Sequence, residues 1–177
     1  MNVLLSQLQD VARVDYVVAH HAEQDHSGSI PHVLARYQDA QVVATPKAKE
    51  MLIDLLSIPA ERVLTVEDGE TLSLGDKTLQ FVYTPWVHWP ETMVTWLEQD
   101  RILFTCDFFG SHLATTDLYV TDKGRVYEAA KRYYAEIMMP FRRIVQRDVD
   151  KIAPYDVDLI APSHGPMYDD PAFIVDA

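Results

Sequence analysis

The sequence HAEQDHSGSIP, from His21 to Pro31, places two histidines, two acidic residues and a glutamine within its first six positions. It directly follows residues 16–19, an apolar run whose pattern predicts a buried strand. A polar loop after a strand is the simplest interpretation of an isolated pair of such residues. The competing interpretation is a metal-binding cluster, and the rest of the sequence has to decide between the two.

The composition is that of an ordinary globular protein. The chain has 177 residues, 48% of them hydrophobic and 24% charged, which suits one domain over residues 1–177 with a substantial core. The net charge of −12 argues against nucleic acid or an anionic membrane as a partner, because both require a basic surface. A single cysteine, Cys106, cannot form an internal disulfide, and the sequence has no signal-peptide or membrane-span pattern. We therefore expect a cytoplasmic protein.

Strand and helix patterns alternate along the chain. Short apolar or alternating runs predict strands and hairpins, and apolar residues at helical spacing predict the helices between them. Hairpins mixed with helices predict an α/β (α+β) fold in which helices cover the sheets. The predicted strands are residues 16–19, 42–45 and 158–161, the hairpins 72–83 and 93–105, and the helices 30–37, 47–56 and 126–152 with an interruption at Pro140.

The other polar residues that stand out also follow apolar strands. His88 follows residues 81–84, Asp107 follows the second hairpin, and His164 follows the last strand. Side chains at the ends of strands from separate segments can converge on one edge of a sheet, where a rigid scaffold positions them. We therefore expect these residues to lie near the first cluster.

The first cluster has the spacing of two sets of metal ligands. In an extended stretch, residues two apart project to the same side, so His21 and Glu23 can share one metal ion. Asp25 and His26 come as the chain turns into the next helix, and they can face a second ion.

The three later residues can complete these two sets. Asp107 has two carboxylate oxygens and can bridge two ions, while His88 and His164 would add one imidazole to each site. The result is seven ligands, and their three carboxylates offset part of the charge of two divalent ions.

These motifs resemble the di-iron domain of flavodiiron proteins, which are oxygen and nitric oxide reductases with a metallo-β-lactamase-like αββα sandwich fold. The similar segments run over nearly the whole chain: HAEQDHSGS, TPWVHWPETM, CDFFGSH, RYYAEIMMPF and IAPSHGP. The resemblance implies two iron ions joined by an oxo or hydroxo bridge. The implied ligands are His21, Glu23 and His88 for one iron, Asp25, His26 and His164 for the other, and Asp107 between them.

The ligand types favour iron over zinc. Hydrolytic relatives of this fold carry H-x-H-x-D-H and usually hold zinc, whereas Glu23 here replaces a neutral nitrogen with an anionic oxygen. Harder, more anionic ligands suit an ion that must reach the ferric state, and zinc has no such requirement.

Several further residues have a structural and a functional interpretation. The resemblance implies a tyrosine behind the metal ligands in RYYAEIMM, and we take Tyr134 as the candidate while Tyr133 stays open. His112, in the GSH turn after Asp107, is a second candidate for lining the site. Cys106 is interpreted as a small buried residue.

Two parts of the family's architecture are not found in these 177 residues. The resemblance implies a flavodoxin-like domain with FMN after the di-iron domain, and β-strands some tens of residues before the first ligand motif. We therefore expect an N-terminally truncated version of the fold that forms a homo-oligomer. FMN is expected only from a partner or a missing domain.

The resemblance implies a domain that reduces O2 to water or NO to N2O. Its electrons would come from a flavodoxin-like, rubredoxin-like or NADH-linked donor. Two alternatives stay open: a di-iron module that binds or senses O2, and a zinc hydrolase of the metallo-β-lactamase type.

Overall fold

The computed structural model describes residues 2–176, and for Asn2 only the backbone. The chain divides into two compact units, Met1–Glu67 (unit 1) and Asp68–Ala177 (unit 2). Unit 1 contains a three-stranded sheet and unit 2 a five-stranded sheet. This mixed α/β composition confirms the predicted fold class, whereas a single domain over residues 1–177 stays a prediction.

Unit 1 is a parallel sheet with helical crossovers. Its strands pair in the order β1-β2-β3, with Tyr16 opposite Gln41 and Val42 opposite Val63. Parallel neighbours need a long connection, and helices provide it here. The elements are α1 (Asn2–Gln7), β1 (Tyr16–Val18), α2 (Gln24–Ser27), α3 (Ile30–Arg36), β2 (Gln41–Ala44), α4 (Pro46–Leu56), a 3₁₀ turn (Ala60–Arg62) and β3 (Val63–Thr65).

Helix α4 has clear start and stop signals in the sequence. The Thr45 hydroxyl accepts a hydrogen bond from the Ala48 N–H at 3.1 Å, which satisfies one of the free N–H groups at the helix start. Ser57 ends the helix with φ of 53°. The helix buries Leu52, which is 0% exposed, whereas Leu55 is 44% exposed.

Unit 2 is a mostly antiparallel sheet with two long helices. Its strands pair in the order β4-β5-β6-β7-β8, and only the β7–β8 pair is parallel among these. The elements are β4 (Thr71–Ser73), β5 (Thr78–Tyr83), β6 (Met93–Leu97), β7 (Ile102–Cys106), α5 (Lys123–Tyr133), a π-helical turn (Tyr134–Met138), a 3₁₀ turn (Met139–Phe141), α6 (Arg142–Ile152), β8 (Leu159–Pro162) and α7 (Pro171–Val175).

The helical segment from α5 to α6 changes its hydrogen-bonding pattern in the middle. An Asp122 carboxylate oxygen caps α5 by accepting a hydrogen bond from the Arg125 N–H at 3.0 Å. The predicted interruption at Pro140 is confirmed, since this residue lies in the 3₁₀ turn after the π turn. Proline has no N–H to donate to the preceding turn, which accounts for the break.

Most sequence predictions of secondary structure are confirmed to within a few residues. Both hairpins form, and Gly75 takes a φ of +103° in the β4–β5 turn, a conformation that glycine adopts without steric cost. Ser29 stands at the start of α3, but its side chain makes no capping hydrogen bond. The elements that were not predicted are α1, α2, β3 and α7. Within residues 2–176, no helix has the length and apolarity needed to cross a bilayer.

The two leucines of α4 provide a matched test of the unit 1 core. We expect Leu52→Ala to lower the free energy of unfolding by about 2–5 kcal/mol, because it removes a fully buried side chain and leaves a cavity. Leu55→Ala makes the same change at an exposed position of the same helix, and it should cost no more than about 0.5 kcal/mol. Urea titrations of the variants measure the difference. Equal losses would mean that α4 does not bury the face described here.

Candidate metal centre

In unit 1, the loop after β1 brings His21 and Glu23 together. His21 is 1% exposed, and its Nε2 lies 3.1 Å from an oxygen of Glu23. This contact agrees with the expectation that residues two apart project to the same side.

A second histidine–carboxylate pair forms at the short helix α2. The helix begins at Gln24, and His26 Nε2 lies 3.4 Å from Asp25 Oδ2. The ring centroids of His21 and His26 are 5.3 Å apart. Unit 1 thus presents two imidazole–carboxylate pairs side by side in one loop.

In unit 2, Asp107 lies between two histidines. Asp107 is 2% exposed, with Oδ2 at 3.4 Å from His88 Nε2 and Oδ1 at 3.2 Å from His164 Nε2. Each carboxylate oxygen therefore faces a different imidazole. The parallel β7–β8 pair helps to arrange this, because Asp107 and His164 follow these two neighbouring strands.

The backbone around Asp107 is unusual for residues other than glycine. Cys106 has a φ of 54° and Phe109 a φ of 64°, both in the left-handed region. The turn is held to the neighbouring loop because the Ser163 N–H donates to the Cys106 carbonyl at 2.7 Å and the Ser111 N–H to the His164 carbonyl at 2.9 Å. Conformations of this kind cost free energy and cluster at functional sites.

The spacing of these donor atoms fits metal coordination. With bonds of about 2.0–2.2 Å from a metal ion to nitrogen or oxygen, neighbouring ligand atoms are about 3.0–3.4 Å apart. The four imidazole–carboxylate pairs have separations of 3.1–3.4 Å. Each unit therefore carries a His/Asp/Glu group with the chemistry and spacing of a metal site.

Of the two tyrosines that the sequence left open, Tyr133 is the one that packs beside the histidines of unit 2. Tyr134 is 39% exposed, whereas Tyr133 is 3% exposed and its ring centroid lies 6.0 Å from that of His164. The phase of helix α5 decides this, because its buried residues Val126, Ala130 and Tyr133 lie on one face. That spacing is visible in the sequence and could have selected Tyr133.

His112 lies beside the same histidine of unit 2. Its ring is exposed and packs edge-on against the rings of Tyr133, at 4.6 Å, and His164, at 5.2 Å. His112 was a sequence candidate for lining the site, and that role stays a prediction.

Two residues next to the predicted ligands, His20 and Cys106, are not part of the ligand pattern. Burial lowers the pKa of His20 to about 4, and the charge of His26 adds to this effect. Cys106 is buried, which agrees with its interpretation as a small buried residue.

Strands that end in histidine and carboxylate groups, within a mixed α/β fold, define the class of metallo-β-lactamase-like proteins. The chain belongs to a family of that class: a family model described as ODP family beta lactamase matches residues 1–165. Flavodiiron proteins are among the solved structures that it resembles, which confirms the predicted family resemblance and fold class.

Three relatives illustrate the similarity. The chain is 43% identical to the type A flavoprotein fprA of Rhodobacter capsulatus over 92% of its own length and 38% of that protein. It is 34% identical to a nitric oxide reductase of Moorella thermoacetica over 98% of its length and 45% of that protein. The structure of rubredoxin oxygen:oxidoreductase from Desulfovibrio gigas matches with a TM-score of 0.93 and 27% identity, over 98% of this chain and 46% of the other. The chain thus spans less than half the length of each of these proteins.

The neighbouring imidazoles of His164 and His112 provide a matched test of metal binding. Loss of a side chain that hydrogen-bonds to a ligand without binding the metal lowers metal affinity about 10- to 100-fold. His164→Ala removes a predicted ligand itself, so it should weaken Fe²⁺ binding by at least that factor. His112→Ala removes an exposed imidazole 5.2 Å away and should leave the affinity nearly unchanged. Anaerobic Fe²⁺ titration measures both variants. If both substitutions weakened Fe²⁺ binding equally, the result would contradict the assignment of His164 as a ligand.

Proposed function

We propose that this chain is a di-iron oxidoreductase domain of the flavodiiron type, which reduces O2 to water or NO to N2O with electrons from an external donor. The observation that carries the proposal is the buried carboxylate of Asp107, whose two oxygens face His88 and His164 separately. A carboxylate presented in this way suits a bridge between two metal ions, one beside each histidine.

The proposed ligands are the same seven residues that the sequence predicts. Asp107 would bridge the two ions. The proposed sets are His21, Glu23 and His88 for one iron, and Asp25, His26 and His164 for the other.

Iron is proposed rather than zinc on the chemistry of these ligands. Three of the seven side chains are carboxylates, which stabilise the ferric state better than neutral nitrogens would. The names of two relatives, nitric oxide reductase and rubredoxin oxygen:oxidoreductase, also denote redox enzymes rather than hydrolases. A bound ferrous pair would supply two electrons and open positions for a diatomic substrate.

The electron requirement supports an external donor. Two ferrous ions hold two electrons, which suffice to reduce two NO to N2O, whereas reduction of one O2 to water takes four. A flavin-containing domain or partner would supply the other two electrons. A rubredoxin-like or NADH-linked protein would in turn reduce the flavin. The Desulfovibrio gigas relative carries rubredoxin in its name.

Protons must reach the same site, because both reductions consume them. Tyr133 carries an O–H group, is 3% exposed, and lies beside the rings of His112 and His164. We propose that Tyr133 donates a hydrogen bond or proton toward the bound substrate. The exposed ring of His112 then exchanges protons with solvent.

Two further properties are proposed from the sequence. A homo-oligomer is proposed because β1 is an edge strand of its sheet, and such edges are normally paired or covered. A cytoplasmic location is proposed because the sequence has one cysteine, which cannot form an internal disulfide, and this fits a reducing compartment.

Gas reduction by the chemically reduced, iron-loaded chain tests the function directly. Without a donor we expect about one N2O per chain from NO, or one reaction with O2, and then no further consumption, because each chain holds two electrons. Adding a flavodoxin-like donor with NADH and its reductase should give continuous turnover. Asp107→Ala should abolish the reaction, whereas Asp169→Ala, at an exposed position, should not.

Three outcomes would contradict this function. Continuous consumption by the chain with NADH alone would show that the donor is not external. A reversible spectral change without consumption, in the presence of the donor, would favour the O2-sensing alternative. Hydrolytic activity with zinc and no redox reaction with iron would favour the hydrolase.

The two adjacent tyrosines provide a matched test of proton donation. Tyr133→Phe should lower kcat for gas reduction about 10²- to 10⁴-fold, the range typical of a lost proton donor, and should change the pH profile. Tyr134→Phe removes the same O–H from an exposed neighbour and should leave both unchanged. Steady-state kinetics across the pH range, with iron content measured in parallel, decides the matter. Identical pH profiles for the two variants would rule out this role for Tyr133.

A further inference from the structure

Unit 2 contains a cavity of about 440 Å³ that the proposed reaction does not use. It lies among α5, the π turn, α6, α7 and the segment that follows Asp107.

The lining divides into a polar mouth and an apolar floor. The charged and amide side chains, such as Lys131 and Arg142, are exposed, so they lie at the mouth. The buried lining residues are apolar apart from the hydroxyl of Tyr133, and they include Phe108, Ala130, Met138, Val145 and Ile174. The floor is therefore apolar, and apolar cavities bind small apolar molecules such as xenon.

Tyr133 connects this cavity with the histidines of unit 2. It lines the cavity, and its ring lies 4.6 Å from the ring of His112 and 6.0 Å from that of His164. Gly110 lines the cavity on the same side, and a Cβ atom there would come within 3.2 Å of the Tyr133 ring. The absence of a side chain at Gly110 therefore lets Tyr133 pack closely against the turn that carries Asp107.

The tyrosine also stands where the helix changes its geometry. α5 ends at Tyr133, and the π turn that follows contributes Tyr134 and Met138 to the cavity wall. π turns inside helices occur frequently at functional sites.

We propose that this cavity is a binding site for small apolar gas molecules, from which O2 or NO reaches the His164 side of the metal centre past Tyr133. The proposal rests on the function proposed above for that centre. O2 and NO are small and weakly polar, so they concentrate in an apolar cavity relative to water. A store of substrate one side chain away from a ligand histidine would raise the rate at which gas reaches the metals.

Two neighbouring alanines of α5 give a matched pair of variants. Ala130→Leu adds an isopropyl group to the cavity floor, one turn before Tyr133. Ala129→Leu makes the same change at the preceding residue, which does not line the cavity. Val149→Phe fills the cavity from α6 and serves as a second test if Ala130→Leu folds poorly.

Xenon binding tests the cavity without any metal in the protein. We expect xenon to bind to the wild-type chain and to Ala129→Leu, as measured by ¹²⁹Xe NMR, and to bind several-fold more weakly to the filled variants. In the iron-loaded, reduced proteins, the bimolecular rate constants for O2 and NO should fall several-fold in the filled variants alone. Iron content should be the same in all of them.

The other outcomes contradict the gas site, the route to the metals or the proposed function, each in a distinguishable way. Absence of xenon binding to the wild type, or equal binding to all variants, refutes the gas site. Xenon binding that is lost in the filled variants without any change in the rate constants refutes the route to the metals. An iron-loaded wild type that consumes neither gas refutes the proposed function, and the xenon experiment still decides whether the cavity binds gas.

Discussion

The buried carboxylate of Asp107 is the constraint on which the rest of the site depends. A carboxylate that is 2% exposed loses most of its hydration, and an isolated buried charge is too costly for a folded protein to retain. His88 and His164 face its two oxygens, but an imidazole compensates that charge only when it carries a proton or binds a cation. Metal ions bound between the carboxylate and the two imidazoles would compensate the buried charge. The fold positions the three side chains for such binding.

The sheet of unit 2 explains how this arrangement is built. β7 and β8 are parallel neighbours, so the loops that leave them start side by side and carry Asp107 and His164. Left-handed backbone at Cys106 and Phe109 turns the chain sharply on either side of the aspartate. In unit 1 the strand β1 performs the corresponding task, because the loop that leaves it holds two histidines and two carboxylates in contact. Each unit is thus a sheet that ends in candidate metal-binding groups.

Much of this could be predicted from the sequence, because the strongest signals are local. Alternating apolar residues gave both hairpins, and the spacing of residues 21–26 gave the pairing of histidine with carboxylate. The three-residue strand β3 was missed because it is too short for an alternating pattern to be recognised. The division into two compact units is not visible in the sequence, because contacts within the folded chain, rather than composition, define it. The choice between Tyr133 and Tyr134 stayed open in the sequence because both are tyrosines, and only their positions around helix α5 distinguish them.

The central claim is that two iron ions share the Asp107 carboxylate. The most direct measurement is X-ray diffraction from crystals of the iron-loaded protein at the iron absorption edge. The account predicts two anomalous peaks about 3.5–4 Å apart, the usual separation in two-metal sites, with one oxygen of Asp107 bound to each. His88 and His164 should then bind different ions. A single peak, or two peaks of which neither lies within bonding distance of Asp107, would contradict the account.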